Sequence, residues 1–167
     1  MKQFIISRHR KTWSTEYKVN EFDTKEVVLR AIHHGGLKDR IDAHGADGAV
    51  LFSIKCRDLF GLTYHVVEVE GNIIGVLDRE WSPPLLRIVD SRSEKTAYTV
   101  KVSPSLYEEF SLDLDGQAIC LFRKASSFSD PLICCCLDDS LVSSNLMLAA
   151  GILILGQGPA TIAGAAA

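Results

Sequence analysis

The sequence from Leu146 to Leu155, Leu-Met-Leu-Ala-Ala-Gly-Ile-Leu-Ile-Leu, is apolar at every position. A helix that is apolar on all its faces is buried in a protein core or lies in a membrane. This stretch therefore decides the fold, and we predict a helix over residues 140–156 followed by a tail over 157–167. Its start and stop signals are Asp138, Asp139, Ser140, Gly156, Gly158 and Pro159.

The length of the apolar run favours a core helix. A membrane span needs about 20 apolar residues, whereas Gln157 interrupts the sequence soon after Leu155. Residues 140–167 contain no basic or aromatic side chain that would anchor a span at a membrane surface. A C-terminal membrane anchor extended to Ala167 is the alternative. We predict that the core helix buries Leu146, Leu148, Ile152 and Leu155 against Val50, Phe52, Val67 and Ile88.

Most of the remaining sequence reads as short β-rich runs separated by turn residues. The short connections leave no room for the crossovers of about a dozen residues that join parallel strands. We therefore predict a mainly β chain, a single domain over residues 1–167, built as an antiparallel sandwich or barrel. The predicted strands are Phe4–Ser7, Trp13–Val19, Val27–Ile32, Ala49–Lys55, Thr63–Glu70, Ile73–Leu77, Leu85–Val89, Thr96–Val102, Tyr107–Leu112, Gln117–Phe122 and Leu132–Leu137.

Turn signals separate these strands. The basic cluster from Arg8 to Lys11 is expected to end the first strand. The segment Asp42–Gly48 is expected to form turns, because Asp-Gly is a strong hairpin signal. Gly71-Asn72 is expected to join the clearest pair of strands, and Asp115-Gly116 a later pair.

The composition is that of a folded protein with a substantial core. Of the 167 residues, 47% are hydrophobic and 23% are charged, which excludes a disordered chain. The formal net charge is −3, so we do not expect the chain to bind nucleic acid. The segment Met1–Arg8 is too short and too soon charged for a signal peptide. We predict a cytoplasmic protein that associates peripherally with membranes.

The five cysteines are Cys56, Cys120, Cys134, Cys135 and Cys136. An odd number with three in a row makes a poor disulfide framework, and no C-x-x-C pair offers the usual zinc spacing. We predict reduced thiols, with palmitoylation of the triplet and metal or redox chemistry as alternatives. If the triplet lies on a strand, Cys134 and Cys136 share one face and Cys135 lies on the other.

The sequence shows no recognisable catalytic motif. It has no G-x-S-x-G segment, phosphate-binding loop or G-x-G-x-x-G segment. The pair His33-His34 has no carboxylate at a fixed spacing to orient it, so we expect it to lie in a surface loop. Asp113 and Asp115 are interpreted as turn residues rather than calcium ligands. We therefore predict that the protein is not an enzyme and holds no cofactor or metal.

Basic residues are the candidates for a ligand site. Arg8, Arg10 and Lys11 are candidates for contact with anionic lipid headgroups, at about 1 kcal/mol for each residue near such a surface. The alternative for these three is a solvated strand end. Arg79 and Arg87 are candidates for a second anion contact. The alternative for this pair is salt bridges with neighbouring acids, namely Asp78, Glu80 or Asp90.

Several segments, taken in their order, resemble one protein family. Gly48–Lys55 resembles its strand of the form Gly…Phe-x-Val-Lys. Tyr64–Trp81 resembles its hairpin, in which a strand meets Gly-Asn and returns through a glycine towards a tryptophan. Leu86–Asp90 resembles the following strand, and Leu146–Leu155 lies where the family has its central helix. On these segments the chain resembles the Tubby C-terminal-like superfamily, in its phospholipid scramblase and LURP-one-related branch.

This resemblance implies both a fold and a function. The fold is a closed antiparallel barrel of about twelve strands around a buried hydrophobic C-terminal helix. The function is that of a non-catalytic adaptor that binds a lipid or a protein at anionic membranes. Its implied partner is an anionic phospholipid or another protein. The alternative is a membrane-anchored protein, similar to the scramblases, that uses the C-terminal apolar helix.

Overall fold

In a computed structural model, the described residues form twelve β-strands and one α-helix. The structure describes residues 1–34, 39–58, 63–81, 84–101, 109–124, 131–138 and 142–163. The elements are β1 (Lys2–Arg10), β2 (Ser14–Glu21), β3 (Val27–His34), β4 (Arg40–Gly45), β5 (Val50–Cys56), β6 (Thr63–Glu68), β7 (Ile73–Trp81), β8 (Pro84–Asp90), β9 (Thr96–Lys101), β10 (Glu109–Leu114), β11 (Gln117–Lys124), β12 (Leu132–Cys136) and α1 (Ser144–Ala163).

The twelve strands form a closed antiparallel barrel. Each strand pairs with its neighbours in sequence, and β1 closes the ring by pairing with β12. In this closing pair Lys2 lies opposite Cys136, and Ile6 lies opposite Leu132. Closure gives every strand a partner on both sides, which removes the exposed edges of an open sheet. The prediction of a closed barrel is confirmed, and the sandwich alternative is wrong.

The alternation of side chains along each strand separates the core from the outer face. In β1, Phe4 and Ile6 are buried, whereas Ile5 between them is only partly buried. In β12, Cys134 and Cys136 are buried and Cys135 between them is partly buried, as predicted. This period of two is what a strand requires when one of its faces covers a core.

Tight turns join the strands at one end of the barrel. Gly48, Gly71 and Gly116 lie in these turns with φ of +83°, +86° and +81°. Because glycine has no Cβ, it adopts this left-handed backbone conformation without a steric penalty. The predicted turns at Gly71-Asn72 and Asp115-Gly116 are confirmed.

Helix α1 lies inside the barrel, as predicted. Leu146 and Ile152 are fully buried, and Leu148 and Leu155 are nearly so. The helix runs closest to β1, β7, β8 and β12. Throughout the described ranges, no helix combines the length and the hydrophobicity that a membrane crossing requires.

Two glycines let the helix approach the barrel wall closely. A Cβ atom on Gly75 of β7 would collide with the side chain of Leu146. A Cβ atom on Gly151 of the helix would lie 2.6 Å from Cδ1 of Ile6, closer than real Cβ contacts. Each glycine therefore makes room for a large apolar side chain on the facing element, which keeps the interior close-packed.

Several strands differ from their predicted bounds, and β1 and β4 show the reasons most clearly. Strand β1 continues through the basic cluster, because Arg8 and Arg10 still pair with Tyr17 and Thr15 of β2. The first part of the predicted turn segment Asp42–Gly48 is strand β4. Its residues alternate, with Ile41 and Ala43 buried on the inner face, so only the last part of the segment forms a turn.

The start of the helix also differs from the prediction. The helix begins at Ser144, and the Ser143 carbonyl accepts hydrogen bonds from the amides of Leu146 (3.0 Å) and Met147 (3.2 Å). The Asp90 carboxylate at the end of β8 accepts a hydrogen bond from the Ser143 amide at 3.3 Å. The acid that accepts a hydrogen bond at the start of the helix is thus one distant in sequence. Of the predicted caps, Asp138 precedes the helix, whereas Asp139 and Ser140 lie outside the described residues.

The helix continues to Ala163 and does not stop at Gly156. Proline at position 159 has no amide hydrogen for the carbonyl of Leu155, four residues earlier. The guanidinium of Arg8 supplies donors instead, since its Nη1 lies 3.2 Å from the Leu155 carbonyl oxygen and 3.1 Å from that of Gly156. The predicted tail is therefore helical over 157–163, and 164–167 lie outside the described residues.

The predicted neighbours of the helix are correct in part. Phe52 and Ile88 belong to the core that surrounds the helix. Val50 is only partly buried near the start of β5. Val67 is buried but lies outside the core cluster, to which its neighbour Val66 belongs.

The burial of the helix can be tested by placing a charge on it. Ile152→Asp is expected to lower the free energy of unfolding by several kcal/mol, since an unpaired carboxylate would lie among apolar side chains. Ile73→Asp is the matched control, because Ile73 is 44% exposed on the barrel surface. Urea unfolding followed by circular dichroism measures both changes. Equal stability of the Ile152→Asp variant and the parent would contradict an enclosed helix.

Candidate functional site

One end of the barrel carries polar side chains on its inner face. We call this end, where β1, β3, β5 and β7 finish and β2, β4 and β6 begin, the mouth. A step of two residues along a strand keeps the side chain on the same face. Such a step leads from Ile6 to Arg8 in β1 and from Leu77 to Arg79 in β7. The inner polar residues of the mouth are Arg8, Tyr17, His33, Cys56, Tyr64 and Arg79.

Arg8 joins the mouth to the central helix. Its guanidinium donates to the carbonyls of Leu155 and Gly156. Pro159 has no amide hydrogen to offer the first of these carbonyls. Arg8 is therefore a structural residue, and its hydrogen-bonding atoms face the helix.

Tyr17 packs against the same part of the helix. Its side chain is almost completely buried, and a Cβ atom on Gly156 would lie 2.6 Å from the Tyr17 hydroxyl oxygen. Burial raises the pKa of Tyr17, and the positive charge of Arg8 partly offsets this effect. The hydroxyl therefore stays neutral well into the alkaline range.

Arg79 lies over the ring of Tyr64, with 5.8 Å between its guanidinium carbon and the ring centroid. This is the geometry of a cation–π contact. Burial lowers the pKa of Arg79 and raises that of Tyr64. Among the residues that the structure describes, the buried Nη2 of Arg79 has no hydrogen-bond acceptor. The guanidinium of Arg79 is thus a partly desolvated cation, and its Nη2 can donate a hydrogen bond to a ligand.

A histidine–carboxylate pair completes the mouth. His33 Nε2 contacts the Asp39 carboxylate, and the Asp39 carbonyl accepts a hydrogen bond from the Cys56 amide at 3.0 Å. Burial is the main cause of the raised pKa values of Tyr17 and Tyr64, and the negative charge of Asp39 adds to both. The carboxylate therefore acts on both sides of the mouth.

The expectation for the two histidines was wrong. His33 and His34 end strand β3 and are not in a surface loop, and Asp39 supplies the carboxylate that no fixed spacing indicated. The Gly35-Gly36 sequence that follows lies outside the described residues. No pattern in the sequence indicates Tyr17 or Tyr64 as site residues, because only the pairing of the strands places these tyrosines at the mouth.

The five predicted basic residues have different surroundings. Arg8 binds the helix, and Lys11 forms an ion pair with Glu16 at 3.0 Å. Arg87 points outward between the buried Leu86 and Ile88, and it pairs with Asp78 at 2.5 Å. Because Arg79 points inward, Arg79 and Arg87 do not form one anion contact. Arg10 is exposed at the end of β1.

The role of Arg8 can be tested through stability. Arg8→Met keeps most of the aliphatic stem but removes both hydrogen bonds to the helix. We expect the free energy of unfolding to fall by about 1.5–3 kcal/mol, the usual range for hydrogen bonds to charged groups. Arg10→Met is the control on the same strand, and we expect almost no change for it. Equal urea midpoints for the two variants would contradict the assigned role of Arg8.

The raised pKa of Tyr17 predicts a loss of stability in alkali. Above the ordinary tyrosine pKa of about 10, the unfolded chain loses this proton while the folded chain keeps it. Stability from this group is thus complete below pH 10 and is lost as the pH rises, by about 1 kcal/mol per pH unit. Tyr17→Phe is expected to lose less stability between pH 9 and pH 11 than the parent. Tyr98→Phe, at an exposed position, is the control and should follow the parent.

Comparisons of the chain with protein-family models, with curated proteins and with solved structures give no match. The resemblance to the Tubby C-terminal-like superfamily therefore stays a prediction. The proposed function therefore rests on the residues of the barrel itself.

Proposed function

We propose that the protein is a non-catalytic binding module that holds the phosphate of an anionic phospholipid at the mouth of its barrel. The observation that carries this proposal is the buried, unpartnered Nη2 of Arg79. Guanidinium groups bind phosphate oxygens through paired N–H donors in a fixed planar arrangement. A phosphate at the mouth would supply the acceptor that none of the described residues gives to this atom.

The energetics of Arg79 support an anionic ligand. A buried donor without an acceptor costs about 1–3 kcal/mol, and more when it belongs to a charged group. The lowered pKa of Arg79 has the same origin, since burial disfavours the cation. An anion beside the guanidinium would accept a hydrogen bond from Nη2 and would raise the pKa of Arg79 again. Asp39 balances only part of the positive charge of Arg8 and Arg79. A neutral ligand would gain little binding energy from the positive charge that remains.

Trp13 supports binding at a membrane surface. It lies in the connection between β1 and β2 at the mouth, and its side chain is 92% exposed. Tryptophan is enriched where membranes meet water, because its ring is apolar and its N–H is polar. Arg10, exposed nearby on β1, would add attraction to anionic headgroups. Trp13 and Arg10 thus fit a peripheral contact that presents the mouth to the headgroups.

The alternative function, with the helix as a membrane anchor, receives less support. Leu146, Ile152 and their neighbours form the core that the twelve strands enclose. Moving the helix into a lipid bilayer would leave the inner faces of the strands without their packing partner. Such cavities cost several kcal/mol for each large side chain removed.

Vesicle flotation tests the proposed function. The parent should float with vesicles that contain phosphatidylserine or a phosphoinositide and not with neutral phosphatidylcholine vesicles. Arg79→Gln should weaken binding by about tenfold, equivalent to about 1.4 kcal/mol. The matched control is Arg92→Gln, because Arg92 is exposed at the opposite end and pairs with Glu68. Binding should also weaken with salt, as the Debye length falls from about 10 Å at 0.1 M to about 3 Å at 1 M.

Two further variants separate the parts of the proposed contact. Trp13→Ala should reduce binding to all anionic vesicles, whereas Arg79→Gln should also reduce binding to a soluble, short-chain form of the lipid. Thermal unfolding of each variant verifies that the barrel is intact. Failure of the parent to float, or equal flotation of Arg79→Gln and Arg92→Gln, would contradict the proposal.

A further inference from the structure

Three cysteine thiols meet inside the barrel. They lie on strands that contribute none of the inner polar residues of the mouth. Cys120 comes from β11, and Cys134 and Cys136 come from β12. The Sγ atoms of Cys120 and Cys134 are 3.5 Å apart, and those of Cys134 and Cys136 are 3.9 Å apart. All three sulfur atoms lie within 4.8 Å of one another, and all three residues are buried. We call this group the thiol cluster.

The strand geometry builds the thiol cluster. Alternation along β12 turns Cys134 and Cys136 inward and leaves Cys135 on the other face. The β11–β12 register places Cys120 directly opposite Cys136, which brings the third sulfur to the other two. All three are reduced cysteines and not disulfides in the structure. The absence of a C-x-x-C pair led to the expectation of no metal site, but a C-x-C pair and a cysteine on the next strand achieve the same convergence.

The spacing of the sulfur atoms suits a three-coordinate ion. Bonds of about 2.3 Å from one ion to three sulfurs place the sulfurs about 4 Å apart or slightly closer. The separations of 3.5 and 3.9 Å fall in this range, and the third, between Cys120 and Cys136, is within 4.8 Å. Among the described residues, no other histidine, cysteine or acidic side chain joins the group as a fourth ligand. Tetrahedral zinc coordination therefore lacks a protein ligand, whereas trigonal coordination is complete.

The surroundings of the thiol cluster restrict the charge of the ion. Cys120, Cys134 and Cys136 are all buried within the apolar core of the barrel. Three thiolates around a monovalent or divalent ion would leave net negative charge in the apolar interior, where unpaired charge is costly. A trivalent ion with three thiolates is neutral. Soft ions are the ones that prefer sulfur ligands.

We propose that Cys120, Cys134 and Cys136 form a binding site for a trivalent thiophilic ion of the arsenite or antimonite type. Arsenite reaches the site as neutral As(OH)3. Three As–O bonds break and three As–S bonds form, and each thiol proton leaves with one hydroxide as water. Arsenic remains in the +3 state, so no oxidant or reductant is needed. As(OH)3 thus brings the three hydroxides that leave as water with the three thiol protons.

Arsenite binding to the reduced, full-length chain tests the proposal. Because the sulfur atoms are buried, one sample is incubated with sodium arsenite in the native state and a second is refolded in its presence. Native mass spectrometry should show one arsenic atom per chain with the loss of three hydrogens. X-ray absorption at the arsenic edge should show three sulfur neighbours. Bound arsenite should also raise the melting temperature, since it binds only the folded site.

The chain contains its own control for this experiment. Cys120→Ala, Cys134→Ala and Cys136→Ala should each weaken arsenite binding by about tenfold or more. Cys135→Ala, with the neighbouring thiol on the outer face, should bind as the parent does. Circular dichroism verifies that each variant folds. If a variant does not fold, the number of sulfur neighbours of arsenic in the parent still tests the proposal. Zinc, offered in parallel, should bind more weakly than arsenite.

Three results would overturn the proposal. One is the absence of an arsenic adduct in the refolded parent, and another is fewer than three sulfur neighbours in the adduct. The third is an equal loss of binding in Cys135→Ala and the thiol-cluster variants. Zinc binding as tight as arsenite binding would reject the argument from charge and with it the assignment to a trivalent ion.

Discussion

An apolar helix enclosed by a closed barrel is the constraint on which the rest of the structure depends. The inner faces of the strands and the helix bury each other, and neither has another apolar surface to pack against. The fit is local as well as general, because Gly75 receives Leu146 and Gly151 receives Ile6. A change on either side of such a contact leaves a cavity or a clash, so the stabilities of the helix and the wall are coupled.

At the mouth, polar side chains replace the apolar side chains that line the rest of the barrel interior. Arg8 compensates the helix for the amide hydrogen that Pro159 lacks, and Tyr17 fills the space that Gly156 leaves. These residues are needed for the fold. Arg79 is different, since it is held over Tyr64 and its buried Nη2 has no acceptor among the described residues. Of the two arginines, only Arg79 is therefore a candidate for binding a ligand.

The parts of the structure that local patterns control could be predicted. The run Leu146–Leu155 indicates a buried helix, and alternation gives the inner and outer faces of β12 correctly. Strand β4 was missed because Asp-Gly at its end is a turn signal and its inward residues, Ile41 and Ala43, are few. The thiol cluster and the mouth depend on register between strands. Register is set by the closed ring as a whole, so no local pattern places Cys120 opposite Cys136 or Asp39 near two tyrosines.

The pairing of β1 with β12 has a consequence for the way the chain is made. Ring closure brings Lys2 to Cys136, and the helix that fills the ring follows every strand in the sequence. Hairpins between neighbouring strands can form during synthesis, but their inward apolar faces have no cover until the helix has emerged from the ribosome. The closing β1–β12 pair and the helix contacts join residues far apart in sequence, which slows folding, and the incomplete barrel exposes surface that promotes aggregation. A nascent chain of this design needs protection from its neighbours, for example by a chaperone, until its last element arrives.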